Sequence, residues 1–547
     1  MIILLCNYYI KRNDKMAYNE KFIHIDSNDF ISAITKFKNY VVHLKVSREV
    51  VDWMKPYNTP KTAPESHGSG FVVDGSKRLI ITNYHVVEDC KKIEIVNVGS
   101  STPIYADVIS VYPKLDIALL HYDNETFNEL VKDAVYDDMI GDSDNIRFAT
   151  TTWALGFPLA QDELKVSKGI ISGFTEGKIQ TDTAINPGNS GGPLVSYDNE
   201  KKKINVIGVN YAGFVGTEGM GLAIPINELK YNWNNLTSSI DNYLSNKDNY
   251  VPLIIYPLLS GAIFDSVQNN YLKELASDCV PGLRIKSIIK SSYFDPELNS
   301  DIKVKENAFI CSIDGHKIDN DGSLLIHDSS QLNIVDIDSY IDRLRPQYKT
   351  DSLGKTTEYY SIKLSGYNCD TTEYVPKISD KFTNEEIYIN RTDIFKLQYK
   401  YHNIHNINYI IVGGFVIMEL TLNHILADMK LATSINLSDI SNFAVTSKLV
   451  VTSSILDFYN EDEIILQDDI FTCPSIIDKV NNKSLDSLDE LKKLLKNKND
   501  YITIGNNVYL TFDINSKVYV YKKSDIKELN NKLKNKVTLE QKKNIFP

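Results

Sequence analysis

Between about residue 30 and residue 223, apolar and polar positions alternate in short runs: YVVHLKV, SGFVV, LIITNYHVV, KIEIVNV, DIALLHY, ATTWALGF, NVIGVNYAG and GLAIP. The runs are separated by Gly, Pro, Asn and Asp. Period-two runs broken by turn residues predict strands, and so many of them at this spacing predict a pair of all-β barrels. The pattern changes at Glu228, where Leu, Trp, Leu, Ile and Leu recur at helical spacing through ELKYNWNNLTSSIDNYLSNK, ahead of the polar stretch SNKDN. That helix predicts the end of a first domain, residues 25–245. Two further β-rich units follow, 250–385 and 386–547, each with a turn-rich core and a helix. The clearest helix is SLDSLDELKKLLKNK, with Ser484 or Asp486 as its cap and leucines three and four apart, and it is expected to pack on its own domain.

The chain has 547 residues, enough for three domains of ordinary size, and 43% hydrophobic with 24% charged residues is the composition of folded protein. A net charge of -12 argues against a nucleic-acid backbone or an anionic membrane surface as a partner, since either requires clustered positive charge. The apolar start MIILLCNYYI is too short to span a bilayer and lacks a basic segment before it. Residues 1–24 are therefore expected to be a disordered extension, with Met16 as an alternative start. No other apolar run reaches membrane-spanning length, and the expectation is a soluble intracellular protein. Cys6, Cys90, Cys279, Cys311, Cys369 and Cys473 lie far apart without a CxxC pair, which predicts reduced thiols.

A serine hydroxyl is a poor nucleophile at neutral pH and needs a base within hydrogen-bond reach, itself oriented by a carboxylate. Ser190 stands in Gly188-Asn189-Ser190-Gly191-Gly192-Pro193, where a tight turn can aim the N–H groups of Gly188 and Ser190 at a developing oxyanion. Alone, this is equally a Gly-rich loop. His85 ends an apolar run in TNYHVV, and Asp116 stands among aliphatics in LDIALL. Each by itself reads as a structural histidine or a turn carboxylate. Together they supply base, orienter and nucleophile in the chain order His, Asp, Ser of the chymotrypsin fold. A histidine N–H would also offset the desolvation of the aspartate.

The blocks SGFVV, TNYHVV, LDIALL, GFPLAQDELKVSKGIISG and IQTDTAINPGNSGGPL resemble, in order, the signature segments of HtrA/Deg serine proteases over residues 40–230. The resemblance implies a mainly β fold, a chymotrypsin-like double β-barrel protease domain followed by two PDZ-like α+β domains. It makes His85 the general base, Asp116 its orienter, Ser190 the nucleophile, and the N–H groups of Gly188 and Ser190 the oxyanion hole. Gly282-Leu283-Arg284-Ile285 and ENAFICSIDGHKIDNDGS are similar to the first PDZ domain of the plant and fungal Deg proteases. YIIVGGFVIMELT and CPSIIDKVNNKSLDSLDELKKLL resemble the degenerate second PDZ domain of that subgroup.

A PDZ module offers a sheet edge to which a peptide adds as a strand, and a backbone nest for a C-terminal carboxylate. Pro281, Gly282, Leu283 and Arg284 are the expected nest of the first module. Gly413-Gly414-Phe415 is its counterpart in the second, where filling of the groove by the protein itself is the favoured reading. The substrate pocket is expected from Ala184, Ile185, Asn210, Tyr211 and Ala212, which include no carboxylate to hold a lysine or arginine side chain, so uncharged apolar side chains should be preferred. His402, His405 and His424 lack a metal-site spacing, and neither a metal nor a cofactor is expected. The lysine-rich end, ELNNKLKNKVTLEQKKN, reads as a solvated helix or tail. Expected partners are unfolded proteins and PDZ-bound peptides or C-termini. The resemblance also implies homo-oligomers built from trimers, to which Phe22, Phe30 and Phe37 could contribute, though core packing accounts for them equally. The rival readings are a non-proteolytic holdase and a PDZ assembly scaffold.

Overall fold

In the computed structural model, the described residues are 28–96, 102–175, 177–213, 220–256, 262–266, 283–288, 303–350, 356–389, 397–434, 447–455, 473–536 and 542–545, with breaks of one to six residues inside the later stretches. The predicted strands close two barrels. The first comprises β1 (Val41–Val50), β2 (Lys61–Asp74), β3 (Leu79–Thr82), β4 (Cys90–Val96), β5 (Ile104–Tyr112) and β6 (Ile117–Tyr122) in the order β5-β4-β1-β2-β3-β6, closed by the β5–β6 pairing. β3 and β6 are buried along their whole length, which explains why LIIT and IALLHY are continuously apolar rather than alternating. The second barrel is closed from β7 (Thr151–Gly156), β8 (Lys165–Thr175), β9 (Lys178–Thr181), β10 (Pro193–Asp198), β11 (Lys203–Gly213) and β12 (Gly221–Pro225).

A helix at Asn28–Phe37 crosses from one barrel to the other. Phe30 packs on Trp153 and Tyr197 of the second barrel, with ring centroids 4.5 and 5.3 Å apart, and Phe37 meets Tyr40 at the start of the first. Both phenylalanines are thus buried in their own chain; Phe22 lies outside the described residues.

The helical pattern beginning at Glu228 is realised as two helices, Ile226–Thr237 and Ile240–Ser245. They dock on β5: Ser110 donates to Leu236 O at 2.7 Å, Tyr243 to Asp107 Oδ2 at 2.7 Å, and Tyr250, just beyond, to Ile109 O at 2.6 Å. The two-residue strand β13 (Leu253–Ile254) then pairs in parallel with β5.

Beyond lie further α+β sheets. The first contains β14 (Ala262–Ser266), β15 (Leu283–Ile288) and β16 (Phe309–Ile313), neighbours in that order, and a helix at Ile337–Asp342. It is joined to the barrels by an ion pair: Arg343 donates through Nε and Nη2 to Glu228 Oε1 at 3.0 and 2.5 Å, with Glu228 buried. The second unit carries two four-stranded sheets over one core of Leu488, Leu491, Leu494, Leu495, Leu529 and Leu533.

Three sequence expectations change here. The helix at Leu488–Lys496 is capped by Ser487, whose side chain accepts from the Glu490 N–H, not by Ser484 or Asp486. The lysine-rich end forms the helix Lys523–Lys536, and rather than being only solvated it buries Leu529 and Leu533 completely, because its leucines fall four apart on one face. Among the cysteines, Cys90, Cys369 and Cys473 form no disulfide, but Cys311 is disulfide-bonded to a partner outside the described residues. Separation along the chain says nothing about approach in space, so the spacing could not show this bond.

The buried helix sets a test of the last domain. Leu529→Ala is expected to cost about 2–5 kcal/mol through the lost contacts and the cavity, read as a lowered urea midpoint for unfolding of that unit. A loss below about 0.5 kcal/mol, the range of surface substitutions, would mean that the helix does not close this core.

Candidate active site

Strand β3 ends at Thr82, and after extended Asn83 the chain makes one helical turn, Tyr84–Val87, that carries His85. His85 is therefore just beyond the strand rather than in it. Asp116 likewise precedes β6, at φ +57° in a turn whose N–H donates to Pro113 O at 3.1 Å. Its carbonyl accepts from the Tyr84 N–H and from Asn83 Nδ2, each at 3.0 Å. Its carboxylate spans the histidine: Oδ1 takes the His85 backbone N–H at 2.7 Å and Oδ2 faces Nδ1 at 2.6 Å. A carboxylate can only accept there, so Nδ1 carries the proton and Nε2 is left as the acceptor. Asp116 is mostly buried, with 14% of its side chain exposed, while His85 at 44% remains open to solvent.

Arg48 holds the other end of the helical turn. β1 shifts register at Arg48 against both β2 and β4, and Nη2 donates to His85 O at 2.6 Å and Val86 O at 3.0 Å. A cation at a helix C-terminus, bonded to carbonyls the helix leaves unpaired, stabilises that turn.

Ser190 stands in a turn that only glycine can build. Gly188 has φ +101° and a Cβ there would lie 2.4 Å from Phe157 O; Gly191 has φ +83° and its Cβ would lie 2.2 Å from Ser69 O. Among the described residues, neither the Gly188 N–H nor the Ser190 N–H donates a hydrogen bond, so both remain free for an anionic oxygen. The turn is held by Ser69, which sequence reasoning left without a role. Its N–H donates to Ser190 O at 2.8 Å and its Oγ donates to Gly188 O at 2.6 Å. The same Oγ accepts from the Phe157 N–H at 2.9 Å, and Ser69 O accepts from Thr82 at 2.7 Å. A polar residue between Gly68 and Gly70 in an otherwise apolar run was the available signal.

The Ser190 hydroxyl donates to Tyr211 O at 3.1 Å, and its hydrogen bond does not go to His85. The Tyr211 ring stands edge-on to His85, centroids 6.1 Å apart, with Lys178 Nζ 4.7 Å from its centre. Thus the expected pocket is only partly assembled from the residues named. Ala184 is exposed, and Ile185 lies buried in the barrel's core, where its Cδ1 would meet a Cβ on Gly221 at 3.0 Å. Asn210 is not a wall: fully buried, it donates from Nδ2 to Leu155 O and Pro193 O, both at 3.3 Å. β11 shifts register between Asn210 and Ala212, and between them Tyr211 is only partly buried, with its ring at His85. The side chain of Ala212 is outside the described residues.

The first expected peptide nest changes as well. Leu283 and Arg284 open β15, which is paired with β14 on one side and β16 on the other, so they present no open edge; Pro281 and Gly282 lie outside the described residues. The free edge at this end of the described sheet is β14. In the second unit, Gly413 and Gly414 form the tight turn between strands Tyr409–Val412 and Phe415–Glu419. The Gly413 N–H donates to Asn530 Oδ1 at 2.8 Å, and Phe415 is buried, so the protein fills this nest itself. The three histidines separate as well: His402 pairs with Asp89, His405 faces Tyr256, and His424 bonds to Thr421.

Residues 68–209 match the family model of the trypsin-like peptidase domain. Similar curated proteins include a probable periplasmic serine endoprotease DegP-like from Rickettsia conorii, 36% identical over 37% of this chain and 37% of its own length. Another, from Rickettsia prowazekii, is 38% identical over 40% and 41%. A putative mitochondrial protease Do-like 3 from Arabidopsis thaliana is 29% identical over 48% and 43%. The chain thus matches about two fifths of the length of these relatives. A solved structure, the HtrA-type protease AlgW with tripeptide, superposes with a TM-score of 0.40 at 19% identity, covering 66% of this chain and 98% of that one. Residues 68–209, within the barrel pair, are thus similar to the trypsin-like peptidase domain, and the barrel pair is similar to part of the DegP-like proteins.

Ser69→Ala removes the hydroxyl that joins Phe157 to Gly188. It should cost about 1–3 kcal/mol of stability and, by loosening the turn, slow acylation of Ser190 by an activated ester by about ten- to a hundredfold. The split between kcat and KM is the readout: the fall belongs in kcat, and an unchanged kcat would remove Ser69 from the positioning of the turn.

Proposed function

We propose that this chain is an ATP-independent serine endopeptidase of the HtrA/DegP type that cleaves unfolded or partly unfolded proteins in protein quality control. The carrying observation is the double hydrogen bond of Asp116 to His85, which fixes the tautomer of a base beside a glycine-built serine turn. In the reaction, Ser190 leaves Tyr211 O and turns its hydroxyl to His85 Nε2. The base takes the proton as Oγ attacks the scissile carbonyl, and Asp116 stabilises the imidazolium. The N–H groups of Gly188 and Ser190 receive the oxyanion. His85 then protonates the leaving amine, and water repeats the sequence on the acyl-enzyme.

The engagement of Ser190 with Tyr211 O supports a barrel that rests between turnovers in a form not yet poised for attack. The two α+β units are read as PDZ-like modules in the arrangement of the plant and fungal Deg subgroup. The first would take a peptide along the open edge of β14; the second, with its nest occupied by Asn530, would serve assembly. Homo-oligomers built from trimers belong to the same reading. No metal or cofactor enters it.

Casein turnover by the purified protein tests the reading against a holdase or a scaffold. Ser190→Ala should leave less than roughly 1% of wild-type rate with folding intact, and Asp116→Asn should be severely impaired because the imidazole loses its orienting acceptor. Equal turnover by wild type and Ser190→Ala would overturn it. Cleavage-site profiling should place Val, Ile, Ala or Leu before the cut, since none of the expected pocket residues Ala184, Ile185, Asn210, Tyr211 and Ala212 is a carboxylate and Lys178 lies over Tyr211. A majority of Lys or Arg there would contradict the pocket.

A further inference from the structure

The helical turn that carries His85 is gripped on its outer side by residues distant in sequence. Tyr84 is buried and meets the Tyr401 ring edge-on, with centroids 5.1 Å apart. His402 Nδ1 lies 3.0 Å from Asp89 Oδ1, and Asn403 Nδ2 donates to Cys90 Sγ at 3.7 Å. Tyr401 and Ile404 pack against the core of the barrels, although they lie within the second C-terminal unit. The turn 401–405 is itself stiff: the N–H groups of Ile404 and His405 donate to Tyr401 O at 3.0 and 2.6 Å, and the Tyr401 N–H donates to His405 Nδ1 at 3.0 Å. From the same end, the loop after β1 reaches the second C-terminal unit, where Trp53 sits edge-on to buried His424 at 5.9 Å. The C-terminal unit thus meets the first barrel at two places, the outer side of the His85 turn and the loop after β1.

The chemistry at this contact makes it more than packing. Glu88 and Asp89 follow the helical turn, and burial with the neighbouring Asp89 raises the Glu88 carboxyl above its ordinary range. Two like charges there would push the turn outward. Arg48 lowers the Glu88 carboxyl from within the barrel, and His402 covers Asp89 from the C-terminal unit. Arg48 holds His85 O and Val86 O, Asp116 holds the His85 N–H and ring, and Tyr401 closes the remaining side through Tyr84.

We propose that the turn 401–405 is a brace that positions His85, so that the barrel pair is a complete catalyst only with the C-terminal unit docked. This rests on the protease reading above. Tyr401 is a positioning residue: it touches Tyr84, not the reacting atoms. Its hydroxyl makes no hydrogen bond among the described residues, so the ring alone carries the contact. A displacement of His85 by about 1 Å lowers turnover by up to a hundredfold without changing how substrate is bound.

The test uses the full chain with a short fluorogenic peptide and, in parallel, labelling of Ser190 by a fluorophosphonate. Tyr401→Ala is expected to lower kcat about tenfold with KM within about twofold, and to slow labelling equally. Tyr401→Phe, which keeps the ring, should restore both to within about twofold of wild type. His402→Gln, at the rim of the same contact, should lower kcat about threefold and keeps the proposal testable if Tyr401→Ala does not fold. Wild-type kcat in Tyr401→Ala, or in His402→Gln should the first variant not fold, overturns the brace, as does failure of Tyr401→Phe to recover. The underlying reading fails separately, if wild type is labelled no faster than Ser190→Ala.

Discussion

Ser69 is the residue on which the site's geometry converges, because His85 and Ser190 come from different barrels and something must fix one relative to the other. Its backbone and hydroxyl reach Ser190, Gly188, Phe157 and Thr82, so a single β2 residue ties the nucleophile turn, the segment after β7 and the strand leading to His85. Ser69, Thr82 and Phe157 are buried, where hydrogen bonds are strong and an unpaired group is costly. The glycines around it follow from the same closeness: a Cβ on Gly192 would approach Leu155 O to 2.2 Å. The turn cannot be loosened at one point without disturbing the seam between the barrels.

How much of this was legible in the sequence depended on how local each feature is. His85, Asp116 and Ser190 each sit in a short segment whose residue types are set by the chemistry, and the structure brings the first two into direct contact while placing Ser190 against Tyr211. The barrels were legible because alternation and turn residues act within a few positions. Asn210 was misplaced as a wall because which face of β11 turns into the barrel depends on its partners in the fold, here Leu155 and Pro193, and no residue type announces it. The expected nest at Pro281 to Arg284 failed for a related reason. Whether a strand is central or at an edge depends on partners far along the chain, here Phe264 and Phe309 on either side of β15. Ser484, Asp486 and Ser487 are chemically near-equal caps, and only the register of the leucines on the core selects the last.

The C-terminal units differ from independent beads on a string. Arg343 and Glu228 form an ion pair with most of its surface removed from water, and Tyr231 lies 5.4 Å from the guanidinium. Removing either partner leaves the other charge buried and unpaired, a loss of about 3–5 kcal/mol in comparable pairs. Such a junction resists ionic strength better than a surface pair does.

The helix at Asn28–Phe37 also bears on how the protein is made. It precedes every strand of the first barrel, yet its Phe30 is seated between Trp153 and Tyr197 of the second. On the ribosome this helix emerges ahead of both barrels, and the seat of its Phe30 is incomplete until Tyr197 has been synthesised. The earliest part of the domain is therefore the last to lock, and until then the nascent chain exposes a phenylalanine that a holding chaperone could take up.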